Sequence, residues 1–388
     1  MTTLPCPSCG ETHVRVFHEQ RGIPVNSCLL LPDAEAAREF PRGDLVLAFC
    51  RACGFIYNAA FDKTVSEYSA RYEETQGFSP RFRAFARDLA QRWIDTYNLR
   101  AKHIVEIGCG KGEFLALMCE LGGNRGTGID PSYRPERMES AAGIEFIRDF
   151  YSERYRDLTG DAIICRHTLE HIQPTRQFVE TVRASVEDRT DPVILFELPD
   201  VYRVLREIAF WDIYYEHCSY FTLGSLASLF RRCGFDVLNV TTEYDDQYIT
   251  VEAVPASGRE ASPPESDVEQ TEKAVDYFEA NYPARVAEWR RDLQATAGDG
   301  RKLVLWGGGS KGVAYLTTLG ISDEVEYVVD VNPYKQNMFM AGTGQKVVAP
   351  EFLREYRPDV VVAMNGIYRD EIQADLDALG IEAELRTV

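Results

Sequence analysis

The 388-residue sequence lacks any long hydrophobic run. Its longest apolar stretches span only a few residues, such as Val193–Phe196, whereas a membrane helix needs about 20. The N-terminus also lacks the basic and then apolar pattern of a secretion signal. We therefore expect no membrane partner and a cytoplasmic location.

Positive charge is also scarce. The 42 Lys and Arg residues are outnumbered by 61 Asp and Glu residues, which gives a formal net charge of −19. Nucleic-acid binding relies on basic side chains that neutralise phosphates, so the composition argues against a nucleic-acid partner and favours a small-molecule substrate. The ten cysteines do not suggest a disulfide framework in a cytoplasmic chain, and instead indicate metal binding, packing or catalysis.

The composition and the hydrophobic pattern of the sequence change along the chain and predict an α/β protein of several domains. Residues 1–75 hold two cysteine pairs, and residues 76–255 alternate strand-like runs with helical patterns. Residues 256–299 begin with a polar, Pro-rich linker and continue as a helix, in which Pro283 predicts a kink or a junction between two helices. A second α/β unit occupies residues 300–388.

Two CxxCG motifs in the first domain predict a zinc site. Each motif places two thiolates on one tetrahedral ion, and the glycine lets the backbone turn around the sulfurs. Four such ligands close the coordination shell, which indicates a structural Zn²⁺, whereas a redox role needs only one pair. The isolated Cys28 is expected to be a small buried hydrophobic residue. The predicted ligands are Cys6, Cys9, Cys50 and Cys53.

A glycine-rich turn follows a predicted strand at Ile104–Gly108 and precedes a helix that begins at Glu113. Glycines at the carboxyl end of a strand allow a ligand close to the backbone. Asp130 ends the next strand and can accept the ribose hydroxyls of an adenosine. Because Glu113 replaces the third glycine of the dinucleotide fingerprint, we predict S-adenosylmethionine instead, whose cationic sulfonium suits the acidic start of the turn. A glycine-rich turn without function in a flavodoxin-like sheet is the alternative. The turn residues are Glu106, Gly108, Gly110 and Gly112.

These features resemble the class I S-adenosylmethionine-dependent methyltransferases. The resemblance rests on the ExGxGxG turn, on Asp130, on the segment His167–Ile172, and on a hairpin predicted from Asp236–Thr242 and Tyr248–Ala253. It implies a Rossmann-like sheet of seven strands that ends in this hairpin, with His167 in the cofactor site. His171 is interpreted as structural support.

The segment Trp211–Phe221 is dense in aromatic and ionisable residues. Its residues alone leave catalysis and core packing as alternatives. With four cysteines before the methyltransferase core and an α/β unit after it, the whole chain resembles the zinc-containing sugar C-methyltransferases of bacterial deoxysugar pathways. The most specific part of this resemblance is a YxEHxSYF pattern, formed by Tyr214, Glu216, His217 and Tyr220.

The resemblance implies methylation of a carbon next to the ketone of a nucleotide-linked keto sugar, with His217 as the general base. A neutral imidazole suits removal of that proton near pH 7. Glu216 would orient the ring or bind a sugar hydroxyl, and Tyr214 is the catalytic candidate for donating a hydrogen bond to the developing enolate oxygen. Tyr220 is expected to contact the substrate.

The stretch between the cysteines and the core departs from the pattern of the sugar enzymes. It reads YEETQGFSP at residues 72–80, where those enzymes carry an aromatic and Ser-rich run. Tyr72 is the candidate substrate contact in this stretch. The acidic pair after it suggests an acceptor with more hydroxyls or an amine.

A second glycine loop, Gly307–Gly312, matches the dinucleotide fingerprint, and Asp330 ends the next strand. Alone this loop predicts NAD binding, but too few residues follow it for a separate hydride-transfer domain. The family resemblance instead implies a Rossmann-like lid over the nucleotide diphosphate, and a packing turn without ligand is the alternative. The implied substrate contacts are Lys311, Asn332 and Tyr334.

The leading hypothesis is therefore a zinc-containing, S-adenosylmethionine-dependent C-methyltransferase that acts on a nucleotide-linked keto sugar. One alternative is an O- or N-methyltransferase on a related sugar or small natural product. Two others are an NAD-dependent oxidoreductase that uses the Gly307 loop and a non-catalytic module that binds sugar nucleotides.

Overall fold

The strands in the described part of the chain form three separate sheets. The computed structural model describes residues 5–65, 72–137, 143–187, 189–256 and 266–388. The sheets follow the predicted regions of the sequence, except that one short strand from the middle of the chain joins the N-terminal sheet.

The N-terminal sheet contains strands β1 (Val14–Pro24), β2 (Arg42–Cys50), β3 (Ile56–Asn58) and β9 (Ser219–Tyr220), with helix α1 (Ala34–Arg38) between the first two. Its strands are antiparallel and lie in the order β1-β2-β3-β9. The last strand comes from the candidate catalytic segment, where Tyr220 pairs with Ile56 and Ser219 with Tyr57. Backbone pairing therefore joins this segment to the N-terminal region, beyond the predicted boundary at residue 75.

The central sheet contains seven strands, β4 (His103–Ile107), β5 (Arg125–Ile129), β6 (Ile144–Ile147), β7 (Ala162–Arg166), β8 (Val193–Pro199), β10 (Phe235–Glu243) and β11 (Tyr248–Pro255). They lie in the order β10-β11-β8-β7-β4-β5-β6, with β4 to β8 parallel and β10 and β11 forming an antiparallel hairpin. All residues of β4 and β7 are buried, as expected for parallel strands covered on both faces. The predicted Rossmann-like sheet and its closing hairpin are confirmed. The helices of this region are α2 (Pro80–Tyr97), α3 (Glu113–Gly122), α4 (Thr175–Ser185), α5 (Val201–Glu207) and α6 (Leu223–Arg232).

The C-terminal sheet is parallel and contains β12 (Leu303–Trp306), β13 (Tyr327–Val329), β14 (Lys346–Val348), β15 (Val360–Ala363) and β16 (Glu384–Thr387). Its order, β14-β13-β12-β15-β16, places the strand before the second glycine loop at the centre. The expected C-terminal Rossmann-like unit is therefore present. Its helices are α8 (Ser310–Leu319), α9 (Leu353–Tyr356) and α10 (Arg369–Leu379).

Helix α7 (Val268–Gly298) is continuous over 31 residues, although Pro283 lies inside it. Of the two outcomes predicted at Pro283, a kink or a junction between two helices, the junction is absent. Phe278 before the proline and Val286 after it pack into the same buried cluster, so one apolar stripe stabilises both halves. The predicted linker falls almost entirely in 257–265, outside the described residues. Neither α7 nor any other helix in the described ranges is long and apolar enough to cross a membrane.

Candidate active site

A cavity of about 1100 Å³ is lined by residues from all three regions of the chain. The carboxyl ends of β4, β5 and β7 contribute Glu106, Asp130 and His167 to its wall. Further parts of the wall come from the second glycine loop and from residues 72–79, which we call the strap. Parallel α/β sheets bind ligands at the carboxyl ends of their strands, so this cavity is the candidate active site.

The cofactor turn adopts a backbone that requires glycine. Gly108 and Gly110 have φ angles of +70° and +54°, a region that L side chains rarely adopt. A Cβ added to Gly108 would lie 1.9 Å from the side-chain oxygen of Thr168, and one added to Gly110 would lie 2.7 Å from Oε1 of Glu74. Gly112 has a φ of +85° and ends the turn where α3 begins. The turn thus brings the backbone close to the cavity.

Two carboxyl groups flank this turn. Asp130 accepts hydrogen bonds from the backbone N–H of Gly110 at 2.9 Å and from that of Ser132 at 2.6 Å. Glu106 is buried, and its Oε2 atom has no hydrogen-bond partner among the described residues. Burial raises the pKa of Glu106 to about 8. A cationic ligand would offset the cost of this unpartnered buried oxygen, so the site fits the sulfonium and ammonium charges of S-adenosylmethionine.

His167 forms part of a charged cluster on the cavity wall. Its Nε2 atom lies 2.7 Å from Oε1 of Glu197, which also accepts a hydrogen bond from Arg166 at 2.9 Å. Burial alone raises the pKa of Glu197, but Arg166 and His167 outweigh it and lower that pKa to about 2. The cluster fixes the His167 ring beside the ring of Tyr248, with their centroids 4.6 Å apart.

His217 lies in the cavity wall with its ring between two others. The centroid of the His217 ring is 4.1 Å from that of Tyr214 and 4.8 Å from that of His171. Burial, together with the nearby His171, His167 and Lys311, lowers the pKa of His217 well below its usual value. Neither ring nitrogen of His217 forms a hydrogen bond to any residue that the structure describes. The ring is therefore neutral at pH 7, with one of its two ring nitrogens unprotonated.

His171 and Glu170 complete the surroundings of His217. The Nδ1 atom of His171 lies 3.0 Å from the backbone oxygen of Glu216, which assigns the proton to Nδ1 and leaves Nε2 as an acceptor. Glu170, His171 and His217 offer ligand atoms that all lie within 4.8 Å of one another. These three side chains indicate a second candidate role for His217, as a metal ligand.

Glu216 and Tyr220 lie behind the cavity wall. Glu216 accepts hydrogen bonds from the backbone N–H and the hydroxyl of Ser27 and, at 3.2 Å, from the hydroxyl of Tyr72. Tyr220 is buried and donates to the backbone oxygen of Tyr214 at 3.2 Å. Glu216 thus contacts Tyr72 and not the ring of His217, and Tyr220 supports the backbone of Tyr214.

The second glycine loop repeats the geometry of the first. Asp330 accepts hydrogen bonds from the backbone N–H of Gly308 and from that of Asn332, both at 2.8 Å. Lys311 lines the cavity and donates to Asp212 at 2.5 Å. Tyr334 lies outside the cavity wall, is half exposed, and stacks under the guanidinium of Arg137. The structure therefore brings Lys311 and Asn332 to the cavity and leaves Tyr334 outside it.

The four predicted metal ligands form a separate cluster. Cys6 and Cys9 precede β1, Cys50 ends β2, and Cys53 follows it. The sulfur atoms all lie within 4.8 Å of one another, with 3.8 Å between Cys6 and Cys53 and 3.6 Å between Cys9 and Cys50. A tetrahedron with Zn–S bonds of about 2.3 Å has S···S edges of about 3.8 Å. The arrangement thus fits a zinc ion.

Two family models cover most of the chain from residue 79 onward. A model described as a methyltransferase domain matches residues 79–240, and a model described as a C-methyltransferase C-terminal domain matches residues 260–382. The first model spans the glycine turn and the His217 segment, and the second spans the C-terminal sheet. The chain is a class I S-adenosylmethionine-dependent C-methyltransferase.

One relative and two solved structures illustrate what this methyltransferase is similar to. The C-methyltransferase NovU of Streptomyces niveus is 27% identical over 290 residues, which cover 69% of this chain and 67% of NovU. The 1,6-didemethyltoxoflavin N1-methyltransferase of Burkholderia thailandensis is 16% identical over 46% of this chain and 82% of that chain, with a TM-score of 0.35. The magnesium protoporphyrin IX methyltransferase of Synechocystis PCC 6803 is 15% identical over 47% and 90% of the two chains, with a TM-score of 0.36.

Several residues of the methyltransferase cavity escaped the sequence analysis. Lys111, inside the glycine turn, is buried and donates to the strap. Asp212 holds Lys311, and Lys335 pairs with Asp330 at 3.4 Å. Cys28 is buried as expected, but it also lines the cavity with its sulfur 3.1 Å from the Ser310 hydroxyl. Only Lys111 carried a sequence signal, because a charged residue interrupts a turn otherwise made for close approach.

Proposed function

We propose that this methyltransferase transfers a methyl group to the carbon next to the ketone of a nucleotide-linked keto sugar, with His217 as the general base. One observation carries the proposal: a neutral, buried imidazole without a hydrogen-bond partner in the described chain faces the same cavity as the cofactor turn. The relatives' C-methyltransferase descriptions favour a carbon acceptor. Methylation of a carbon acceptor needs a base that removes a C–H proton. O-methylation of a hydroxyl that is already ionised needs no such base.

The residues around the glycine turn would hold the methyl donor. Glu106 would face its cationic end, Asp130 would accept its ribose hydroxyls, and His167 lines the same cavity. When bound, S-adenosylmethionine supplies a methyl group on a positively charged sulfur. The main task of the protein is then to position the acceptor carbon and to exclude water.

His217 would remove the proton from the carbon next to the ketone, and the electron pair left on that carbon would form the new C–C bond to the methyl group, while the methyl–sulfur bond would break and S-adenosylhomocysteine would leave. Tyr214 also lines the cavity, and burial raises its pKa well above its usual value. Its hydroxyl therefore stays protonated and forms no hydrogen bond to a described residue, so it is free to donate to the enolate oxygen. We assign Tyr72 to the acceptor side of the cavity and Glu216 to holding Tyr72 in place.

The C-terminal glycine loop would bind the nucleotide part of the acceptor. Its backbone precedes the first turn of α8, where free N–H groups favour anionic oxygens. Lys311 supplies a cation at this position and Asn332 a polar contact. Because Lys311 is already paired with Asp212, a diphosphate would share this cation with the carboxylate.

We also propose that the four cysteines hold a structural Zn²⁺. The distances between the four sulfurs are close to the edge length of a tetrahedron of zinc-bound thiolates, and all four cysteines are free of disulfides. The ion would tie the chain before β1 to the end of β2, and so would stabilise the sheet that carries β9.

Proton exchange at the acceptor carbon tests the assignment of His217. With S-adenosylhomocysteine in the cofactor site, the wild type should exchange the hydrogen next to the ketone for deuterium from D₂O, whereas His217→Asn should bind both ligands without exchange. His171→Asn should retain exchange and serves as the matched control. Exchange at the wild-type rate in the His217 variant would refute the base. If exchange requires an added divalent ion while Zn²⁺ stays bound to the four cysteines, Glu170, His171 and His217 would instead be assigned to a metal site.

A further inference from the structure

Lys111 connects the cofactor turn to the strap. It lies between Gly110 and Gly112, and its side chain is 1% exposed. Its ammonium donates to the backbone oxygen of Tyr72 at 2.9 Å and to both carboxylate oxygens of Glu74 at 3.1 and 3.2 Å. A buried lysine is costly unless all its donors are satisfied, so these contacts hold the strap firmly against the turn.

Lys111 also contacts the loop that follows β5. Its ammonium lies 3.3 Å from the hydroxyl of Ser132, whose backbone N–H binds Asp130. One cation thus belongs to one part of the proposed cofactor site, the glycine turn, and contacts Ser132 in the other part, the loop that holds Asp130. Any adjustment of either part on cofactor binding reaches Lys111 directly.

The strap carries the other end of this connection. The hydroxyl of Tyr72 binds Glu216, which is adjacent in sequence to His217. Glu73 forms a buried ion pair with Arg137 at 2.6 Å and accepts a hydrogen bond from Asn332 at 2.9 Å. Three consecutive strap residues therefore join the cofactor turn, the His217 segment and the C-terminal unit.

We propose that Lys111 is a positioning residue that couples occupancy of the cofactor site to the ordering of the strap and, through Tyr72, to acceptor binding. The coupling to the strap rests on the contacts of Lys111 alone. The step from Tyr72 to the acceptor rests on the proposed function.

Hydrogen–deuterium exchange of the strap tests the first step without any acceptor. In the full-length wild type, S-adenosylhomocysteine should slow amide exchange in residues 72–79 by on the order of fivefold or more, a typical coupling factor. Lys111→Met should still bind S-adenosylhomocysteine by calorimetry but should lose most of this protection, and Lys111→Arg should restore part of it. Lys102→Met, at a half-exposed surface lysine, is the matched control and should behave as the wild type.

A second variant keeps the test informative if Lys111→Met does not fold. Glu74→Gln keeps the size of the partner side chain, removes its charge, and should lower the protection to an intermediate value. Full protection of the strap in both the Lys111 and the Glu74 variants would overturn the proposal. If Lys111 had a purely structural role, Lys111→Met would lower the melting temperature, but S-adenosylhomocysteine that still bound the variant would also still protect the strap.

Binding of thymidine diphosphate glucose and uridine diphosphate glucose tests the second step. In the wild type, S-adenosylhomocysteine should raise the affinity for the better of the two by on the order of tenfold, and Lys111→Met should abolish this gain. If neither sugar nucleotide binds the wild type while Lys111→Met still loses strap protection, the acceptor class is wrong and the coupling of cofactor to strap stands. An unchanged gain in the variant would refute the coupling itself.

Discussion

Replacement of Glu106 with Gln is expected to flatten the pH dependence of S-adenosylmethionine binding. Glu106 is 2% exposed, and burial raises the pKa of its carboxyl to about 8. A cationic ligand favours the carboxylate, so binding at pH 7 releases the proton. The gap of one unit between pH 7 and this pKa corresponds to about 1.4 kcal/mol, so the wild type should bind about tenfold more weakly at pH 7 than at pH 9. Affinity is thus gained as pH rises through 8 and lost as it falls.

Calorimetric titrations of the wild type and Glu106→Gln between pH 6.5 and about pH 9 would measure this effect. Glu74 lines the same cavity and has a pKa that burial raises to about 7, and the ligand's own amine also titrates. Both contributions remain in the variant, so the difference between the two profiles isolates Glu106. The affinities should diverge as pH rises, and Glu120→Gln, at the exposed edge of the cavity, should follow the wild type. Parallel profiles for the wild type and Glu106→Gln would show that Glu106 does not face the cationic ligand.

Three other substitutions test separate parts of the account. Cys50→Ser should lose bound zinc by elemental analysis and melt at a lower temperature, whereas Cys233→Ser, at a buried cysteine outside the cluster, should keep its zinc; retained zinc in Cys50→Ser would argue against the four-thiolate site. Glu73→Ala leaves a buried guanidinium unpaired and should lower the free energy of unfolding by about 3–5 kcal/mol in urea titrations, and a loss below about 1 kcal/mol would mean that the pair is solvated. Gly108→Ala should abolish cofactor binding, because its Cβ would collide with a neighbouring side chain, while Gly123→Ala carries a similar backbone penalty in open space and should still bind.

The central sheet was predictable because its signals are local. Apolar runs mark β4 and β7, and the glycines of the first turn stand directly after β4. Asp130 and the final hairpin follow at the positions that a parallel sheet with an antiparallel edge demands. The carboxyl ends of parallel strands share one edge, so the sequence also predicted that Glu106 and Asp130 would meet at one cavity.

Side-chain direction in the His217 segment was less predictable. The YxEHxSYF pattern supplied the right residue types, but a pattern of types does not give the face on which each side chain lies. Pairing of β9 with β3 turns Tyr220 into the core, and Ser27, distant in sequence, draws Glu216 away from His217. Both effects depend on long-range contacts made by a two-residue strand or by residues outside helices and strands, which leave no periodic pattern.

The sequence did not indicate which residues of the strap Lys111 contacts. Its contacts on the strap are the backbone oxygen of Tyr72, which every residue type presents, and the carboxylate of Glu74, which nothing in the sequence ties to a lysine elsewhere in the chain. The continuity of α7 through Pro283 was unpredictable for a related reason, because buried contacts on both sides of the proline outweigh a local preference for breaking the helix.

Carbon NMR of the product formed with S-adenosylmethionine labelled with ¹³C in the methyl group distinguishes C-methylation from O- and N-methylation. With a nucleotide-linked 4-keto-6-deoxysugar as the acceptor, the wild type should give a labelled methyl signal at the chemical shift of a methyl group bonded to carbon, and His217→Asn should give no such product. A labelled methyl bonded to oxygen or nitrogen, or a C-methyl product formed at the wild-type rate by the variant, would contradict the proposed function.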